Sequence, residues 1–86
     1  VHISMRADVY VNGILQDTPE SKRRYSSLYN NDPIGTGHTR STLDSAQAWS
    51  AGTSDDNQWM VLDLESVKYV TGIKILPRCK CGDITF

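Results

Sequence analysis

Two cysteines stand one residue apart in Arg78-Cys79-Lys80-Cys81-Gly82-Asp83. On an extended segment they point to the same side, and a bridge between them would close a small, strained ring. Two readings stay open: free thiols in a reducing compartment, or bridges from Cys79 or Cys81 to partners outside this chain, the second being preferred. A structural zinc site needs about four ligands, and two thiols with the distant His2 and His38 do not supply them. Gly35-Thr36-Gly37-His38 carries two glycines but no lysine where a phosphate loop needs one, and no helix is expected after it. Ser, His and Asp are all present, yet none stands in the setting of a nucleophile elbow or another local catalytic signature. No catalytic residue is therefore expected. Lys22-Arg23-Arg24 beside Glu20 is a basic run of the kind that usually forms a solvated face. Ser54-Asp55-Asp56-Asn57 offers oxygen ligands without the spacing of an EF-hand loop.

The elements that must position these groups are short. Eighty-six residues suit one small domain with a thin core. A composition 38% hydrophobic and 22% charged is that of an ordinary globular protein. A net charge of −1 gives no reason to expect nucleic acid as partner. No apolar run is long enough to span a bilayer as a helix. Ala7 to Leu15 alternates Val9 and Val11 against Tyr10 and Asn12, then reaches Asn12-Gly13, which predicts a hairpin. Gln16 to Arg24 reads as a solvated loop, Arg24 to Tyr29 as a short strand, and Asn30 to Ser41 as a long loop rich in turn residues. Thr42 to Gly52 predicts a helical turn at most. Gln58 to Leu64 places Met60, Leu62 and Leu64 on one face and Trp59, Val61 and Asp63 on the other. Lys68 to Leu76 sets Tyr69, Thr71, Ile73 and Ile75 against Val70, Gly72, Lys74 and Leu76. The short connector between these two segments predicts that they are antiparallel neighbours. The class is all-β.

Arg40, Leu43 and Asp44, then Ala48-Trp49-Ser50, then Gln58-Trp59 leading into Val61-Leu62-Asp63-Leu64, then Val70-Thr71-Gly72-Ile73 with Arg78 beyond, follow one another in an order that resembles the discoidin domain, the coagulation-factor type C module of the galactose-binding-like superfamily. The resemblance covers about Arg24 to Arg78. It implies an antiparallel β-sandwich of jelly-roll type, with a binding surface made of loops at one end. It also implies that residues 1–86 form a single domain lacking its C-terminal strands.

What the resemblance implies about individual residues is specific. Asp63 would be a structural carboxylate at a strand end. Buried and unpaired it would cost several kcal/mol, so Arg40 or Arg78 would hold it. Trp49 and Trp59 would be core aromatics. The loops Tyr29 to Arg40 and Ser50 to Asn57 would lie together, with Tyr29, His38, Arg40 and Asp55 as ligand contacts. Asp44 would be the candidate for a structural calcium, no other cofactor being implied. The function implied is a non-catalytic extracellular recognition or adhesion module for cell-surface glycans or proteins. The alternatives are a structural domain of a large extracellular or filament-forming protein, with its loops buried against neighbouring domains, and an accessory carbohydrate-binding module of an enzyme.

Overall fold

A computed structural model describes residues 4–53 and 55–77. The described residues are all-β and antiparallel, with one 3-10 turn at Glu20–Lys22. Strand β1 (Ser4–Val11) is the spine. It turns at Asn12-Gly13 into β2 (Ile14–Leu15). Both turn residues have positive φ, 50° and 78°, as a two-residue hairpin whose twist matches its strands requires. Strands β3 (Arg23–Tyr25), β4 (Trp49–Ser50), β5 (Met60–Leu62) and β6 (Val70–Leu76) follow.

One edge of β1 is shared by β4, at Ser4 and Met5, and β2, at Tyr10 and Val11. The other edge is taken along most of its length by β6, from Arg6 opposite Leu76 to Val11 opposite Val70. Strands β3 and β5 pair separately, Arg23 with Leu62 and Tyr25 with Met60. The expectation that the segments carrying β5 and β6 are neighbours is therefore corrected. Residues 63–69 do not close a hairpin: Glu65 adopts a φ of 70°, and its N–H is held by Asp63 Oδ1 at 2.8 Å. This turn lets β5 stay with β3 while β6 crosses to β1, whose eight residues offer a longer ladder.

The interior is more polar than the composition suggests. Among the described residues the buried apolar side chains are Ala7, Ala48, Trp49 and Ala51. Buried beside them are Ser4, Arg6, Asp8, Thr18, Arg23, Thr39, Ser41 and Ser50. Between β4 and β2 the free edge of β1 would expose the Ala7 backbone. Its N–H donates to the Ser41 carbonyl at 2.9 Å, and its carbonyl accepts from Arg23 Nη1 at 2.6 Å. The Arg23 guanidinium thus occupies a place where a strand would otherwise pair. It also donates through Nε to the Thr18 carbonyl at 3.0 Å, through Nη1 to Ser41 Oγ at 2.9 Å, and through Nη2 to Asp8 Oδ2 at 2.9 Å. The remaining capacity of Asp8 is filled by the Thr18 N–H and hydroxyl and by the Val9 N–H. A buried ion pair is tolerable only when its other donors and acceptors are satisfied in this way. The basic run at Lys22–Arg24 is accordingly not a wholly solvated face, and the segment before it is not a simple loop: Arg23 and Thr18 are buried.

Glu20 extends the network. Its Oε2 accepts from the N–H groups of Ser41 and Thr42 at 2.6 and 3.0 Å, and its Oε1 accepts from the Tyr25 hydroxyl at 2.6 Å. Burial first, and the hydrogen bond to Glu20 second, push the Tyr25 phenol far above its ordinary value of 10.0. The folded chain therefore keeps a proton that the unfolded chain releases, so the stabilisation is present below pH 10 and is lost as pH rises beyond it. Above about pH 10 the urea midpoint should fall, and Tyr25→Phe should flatten that fall by up to about 1.4 kcal/mol per pH unit. Parallel alkaline profiles for the two proteins would contradict it.

Candidate functional site

The loop after β3 and the loop after β4 meet along a backbone seam. The Tyr29 N–H donates to the Ser50 carbonyl at 3.0 Å, and the Ser50 N–H donates to the His38 carbonyl at 3.1 Å. Ser50 therefore ties both ends of the Tyr29 to Arg40 segment to β4. Lower down, the Gly52 N–H donates to Ser27 Oγ at 2.9 Å. Gly52 also fits so closely that a Cβ there would lie 2.8 Å from the Leu28 carbonyl oxygen. Gln58 closes the second loop. Its carbonyl oxygen accepts from the hydroxyls of Ser26 and Ser27, and its Nε2 donates to Thr53 Oγ1 at 2.7 Å and Asp55 Oδ1 at 2.9 Å. These amide-to-hydroxyl bonds explain why polar residues introduce the apolar strand β5: Gln58 crosslinks the two loops before the chain enters the sheet.

The first loop is shaped by one carboxylate. Asp32 Oδ2 accepts from the His38 N–H at 3.0 Å, and Oδ1 accepts from Asn30 Nδ2 at 3.2 Å. Gly37, with a φ of 51°, lies directly over the Asp32 carboxylate, where a Cβ would overlap it. The His38 ring meets Tyr29 edge to face, with centroids 5.4 Å apart and planes at 82°. His38 Nδ1 is buried and finds no hydrogen-bond partner among the described residues. A buried polar atom without a partner costs free energy, and such atoms recur at working sites. Tyr29 itself is 60% exposed.

The sequence-derived residues are thus partly assembled. Tyr29 and His38 touch, and Arg40 is held nearby in the chain by Nε donating to the Gly37 carbonyl at 3.1 Å. Asp55 is exposed, on the second loop, and accepts from Gln58 and from the Asn57 N–H. The hydrogen bond from Gln58, and then that from Asn57, lower its pKa below the ordinary carboxylate value. Its charge is therefore fixed on the loop surface.

Two expectations are corrected. Asp63 is exposed, not buried, and its carboxylate accepts from the Glu65 N–H; Arg40 does not hold it. It borders a hollow of about 160 Å³ with Lys22, Glu65 and Lys68, where Lys22 and Glu65 pair at 2.9 Å. Placed one residue beyond β5, Asp63 needs no buried cation. The two tryptophans also part company. Trp49 is 1% exposed and stacks on Tyr25, with centroids 5.4 Å apart, while its indole N–H donates to the Ser27 carbonyl at 2.8 Å. Trp59 is 50% exposed, so it is not a core residue. Its backbone is clipped to Ser26, through its N–H to Ser26 Oγ and its carbonyl from the Ser26 N–H. Finally, Asp44 stands on an exposed turn, and among the described residues no three acidic, His or Cys side chains are grouped to hold a metal ion. Among the described residues, the other carboxylates bordering the hollow beside it are Asp8, already committed to Arg23 and Thr18, and the exposed Asp17.

Arg78, Cys79, Cys81 and His2 lie outside the described residues. Sequence reasoning missed Trp59 and Ile34 as exposed apolar residues of this region, 50% and 55% exposed. For Trp59 a signal was present: by alternation it shares a face with Asp63, which is exposed. Among the described residues no helix is long and apolar enough to cross a membrane. No family model, curated protein or solved structure matches this chain.

Proposed function

We propose that this domain is a non-catalytic extracellular recognition module that binds cell-surface glycans through the loop pair 26–40 and 50–59. The observation that carries this is the exposure of two aromatic residues, Tyr29 and Trp59, on backbone pinned by Ser26, Ser27, Ser50 and Gln58. Sugar rings present apolar faces and hydroxyl edges. A site for them combines an aromatic surface with a few fixed polar groups. Here the polar groups are His38, whose ring packs edge to face on Tyr29, and Arg40 and the Asp55 carboxylate, each held by a hydrogen bond within its own loop. The resemblance to discoidin domains, which implies a site on the loops Tyr29 to Arg40 and Ser50 to Asn57, supports this region and the jelly-roll architecture that would present it.

The test is retention of the purified chain on a panel of immobilised glycans, followed by variants. Tyr29→Ala and Trp59→Ala should each weaken the strongest binding at least about tenfold, or 1.4 kcal/mol, with little change in melting temperature. A panel that retains nothing, or variants that bind as tightly as the parent, would refute the proposal. A second reading, a structural unit packed within a larger extracellular assembly, is favoured by one other observation: the apolar residues Val67, Tyr69, Ile73 and Ile75 around β6 are exposed.

A further inference from the structure

Asn12-Gly13 is the one place in the sequence where glycine follows asparagine. That pair is chemically labile, because no side chain shields the glycine nitrogen from the asparagine side-chain carbon Cγ. Both residues are exposed at the tip of the β1–β2 hairpin. Strand β6 carries a bulge beside that tip. Tyr10 stands opposite Gly72 and Val11 opposite Val70, so Thr71 has no partner of its own in the ladder. A bulge re-aims the side chain it carries, and the Thr71 hydroxyl turns onto the hairpin. Its Oγ1 accepts from the Gly13 N–H at 2.9 Å and donates to the Tyr10 carbonyl at 3.3 Å. The Asn12 N–H donates to the Tyr69 carbonyl at 3.1 Å. Tyr69 and Thr71 thus hold both amide hydrogens of the turn.

We infer that Asn12 is a site of spontaneous modification, conversion of its side-chain amide to a carboxylate, and that the Thr71 bulge holds this conversion slow in the folded chain. The reaction needs only water and hydroxide. Hydroxide takes the Gly13 amide proton, and the nitrogen attacks Asn12 Cγ. The new C–N bond closes a five-membered imide, and the side-chain nitrogen takes a proton from water and leaves as ammonia. Water then opens the ring, at Cγ to give aspartate or at the backbone carbonyl to give isoaspartate. The clasp obstructs the first step twice. The proton that must leave is shared with Thr71 Oγ1. The ring also closes only after rotation about the Asn12 Cα–C bond, which carries the Gly13 N–H off that oxygen. Local opening of the hairpin therefore precedes reaction. Isoaspartate adds a backbone carbon to a two-residue turn whose length sets the register of β1 against β2, so the modified turn no longer matches that register. The site lies on neither of the two loops assigned to glycan binding.

The test is to age the full chain at mildly alkaline pH, digest it, and follow the Asn12 peptide by mass spectrometry, with isoaspartate and aspartate separated by chromatography. A peptide spanning Tyr10 to Gln16 in the same buffer is the unclasped reference. The folded chain should convert at least about tenfold more slowly than the peptide, since two hydrogen bonds must open first. Thr71→Val keeps the branched shape and removes the hydroxyl. It should speed conversion in the folded chain about fivefold, the factor set by one hydrogen bond of ordinary net strength. Thr71→Ser keeps the hydroxyl and should convert at the parent's rate. Hydrogen exchange at the Gly13 amide should be faster in Thr71→Val and unchanged in Thr71→Ser. Equal conversion rates in the folded chain and the peptide, or in Thr71→Val and the parent, would overturn the inference. So would a peptide in which Asn12 stays intact, or a Thr71→Ser chain that ages as fast as Thr71→Val.

Discussion

Arg23→Ala should destabilise the fold by about 3–5 kcal/mol, the range for removing one member of a buried ion pair. Domains of this size hold only a modest net stability in all, so the variant should be largely unfolded at room temperature. The reason lies in what the guanidinium holds. It bonds the Asp8 carboxylate, the carbonyls of Thr18, Ala7 and Ser41, and the Ser41 hydroxyl, all away from water. Alanine would leave a buried charge and would take the donor from the Thr18 and Ala7 carbonyls, the Ser41 carbonyl keeping the Ala7 N–H. Lysine should not rescue it, because one ammonium with three donors cannot span acceptors arranged around a planar fork. Urea titration followed by tryptophan fluorescence measures the loss. A midpoint within experimental error of the parent would mean that the polar hub does not organise the fold.

Trp49→Ala should cost about 3–5 kcal/mol, as deletion of a buried aromatic side chain does, and Trp59→Ala should stay within about 0.5 kcal/mol, as surface changes do. Trp49 fills the space between β4 and Tyr25 and hydrogen-bonds the Ser27 carbonyl, so its loss opens a cavity and orphans an acceptor. For a domain of 60–100 residues each kcal/mol moves Tm by about 4–8 °C. The Trp49 variant should therefore melt at least about 12 °C below the parent. Equal effects at the two positions would contradict the separation of a structural from a surface tryptophan.

How much of this was legible differs by kind of information. The Asn12-Gly13 hairpin was, because its turn chemistry is local and both residues take positive φ. The end of β6 was, because Leu76 precedes Pro77; its start was not, since the strand begins at Val70 rather than Lys68 and its register against β1 shifts at Thr71. Strand partners were not. A short connector suggests a hairpin, but pairing is decided by which distant strand offers the longer ladder, and β1 precedes β6 by some sixty residues of chain. Arg23 was hidden inside a basic run that composition alone assigns to water. Asp8 did leave a trace: in Arg6-Ala7-Asp8-Val9 two charged residues share one face of a strand, which signals buried polar partners. The loop seam was visible in outline, as two turn-rich segments flanking β4. The exchange of roles between Trp49 and Trp59 was not, since it depends on which aromatic Tyr25 stacks against.

The central claim is that ligand binds at the seam of the two loops. Amide chemical-shift mapping tests it most directly, with ¹⁵N-labelled chain titrated with the panel oligosaccharide it retains most strongly. The predicted result is saturable shifts confined to residues 26–40 and 50–59, including the Trp59 indole N–H, with β6 unmoved. Shifts centred on β6 or on the hollow beside Lys22 and Asp63, with the loop amides still, would contradict it.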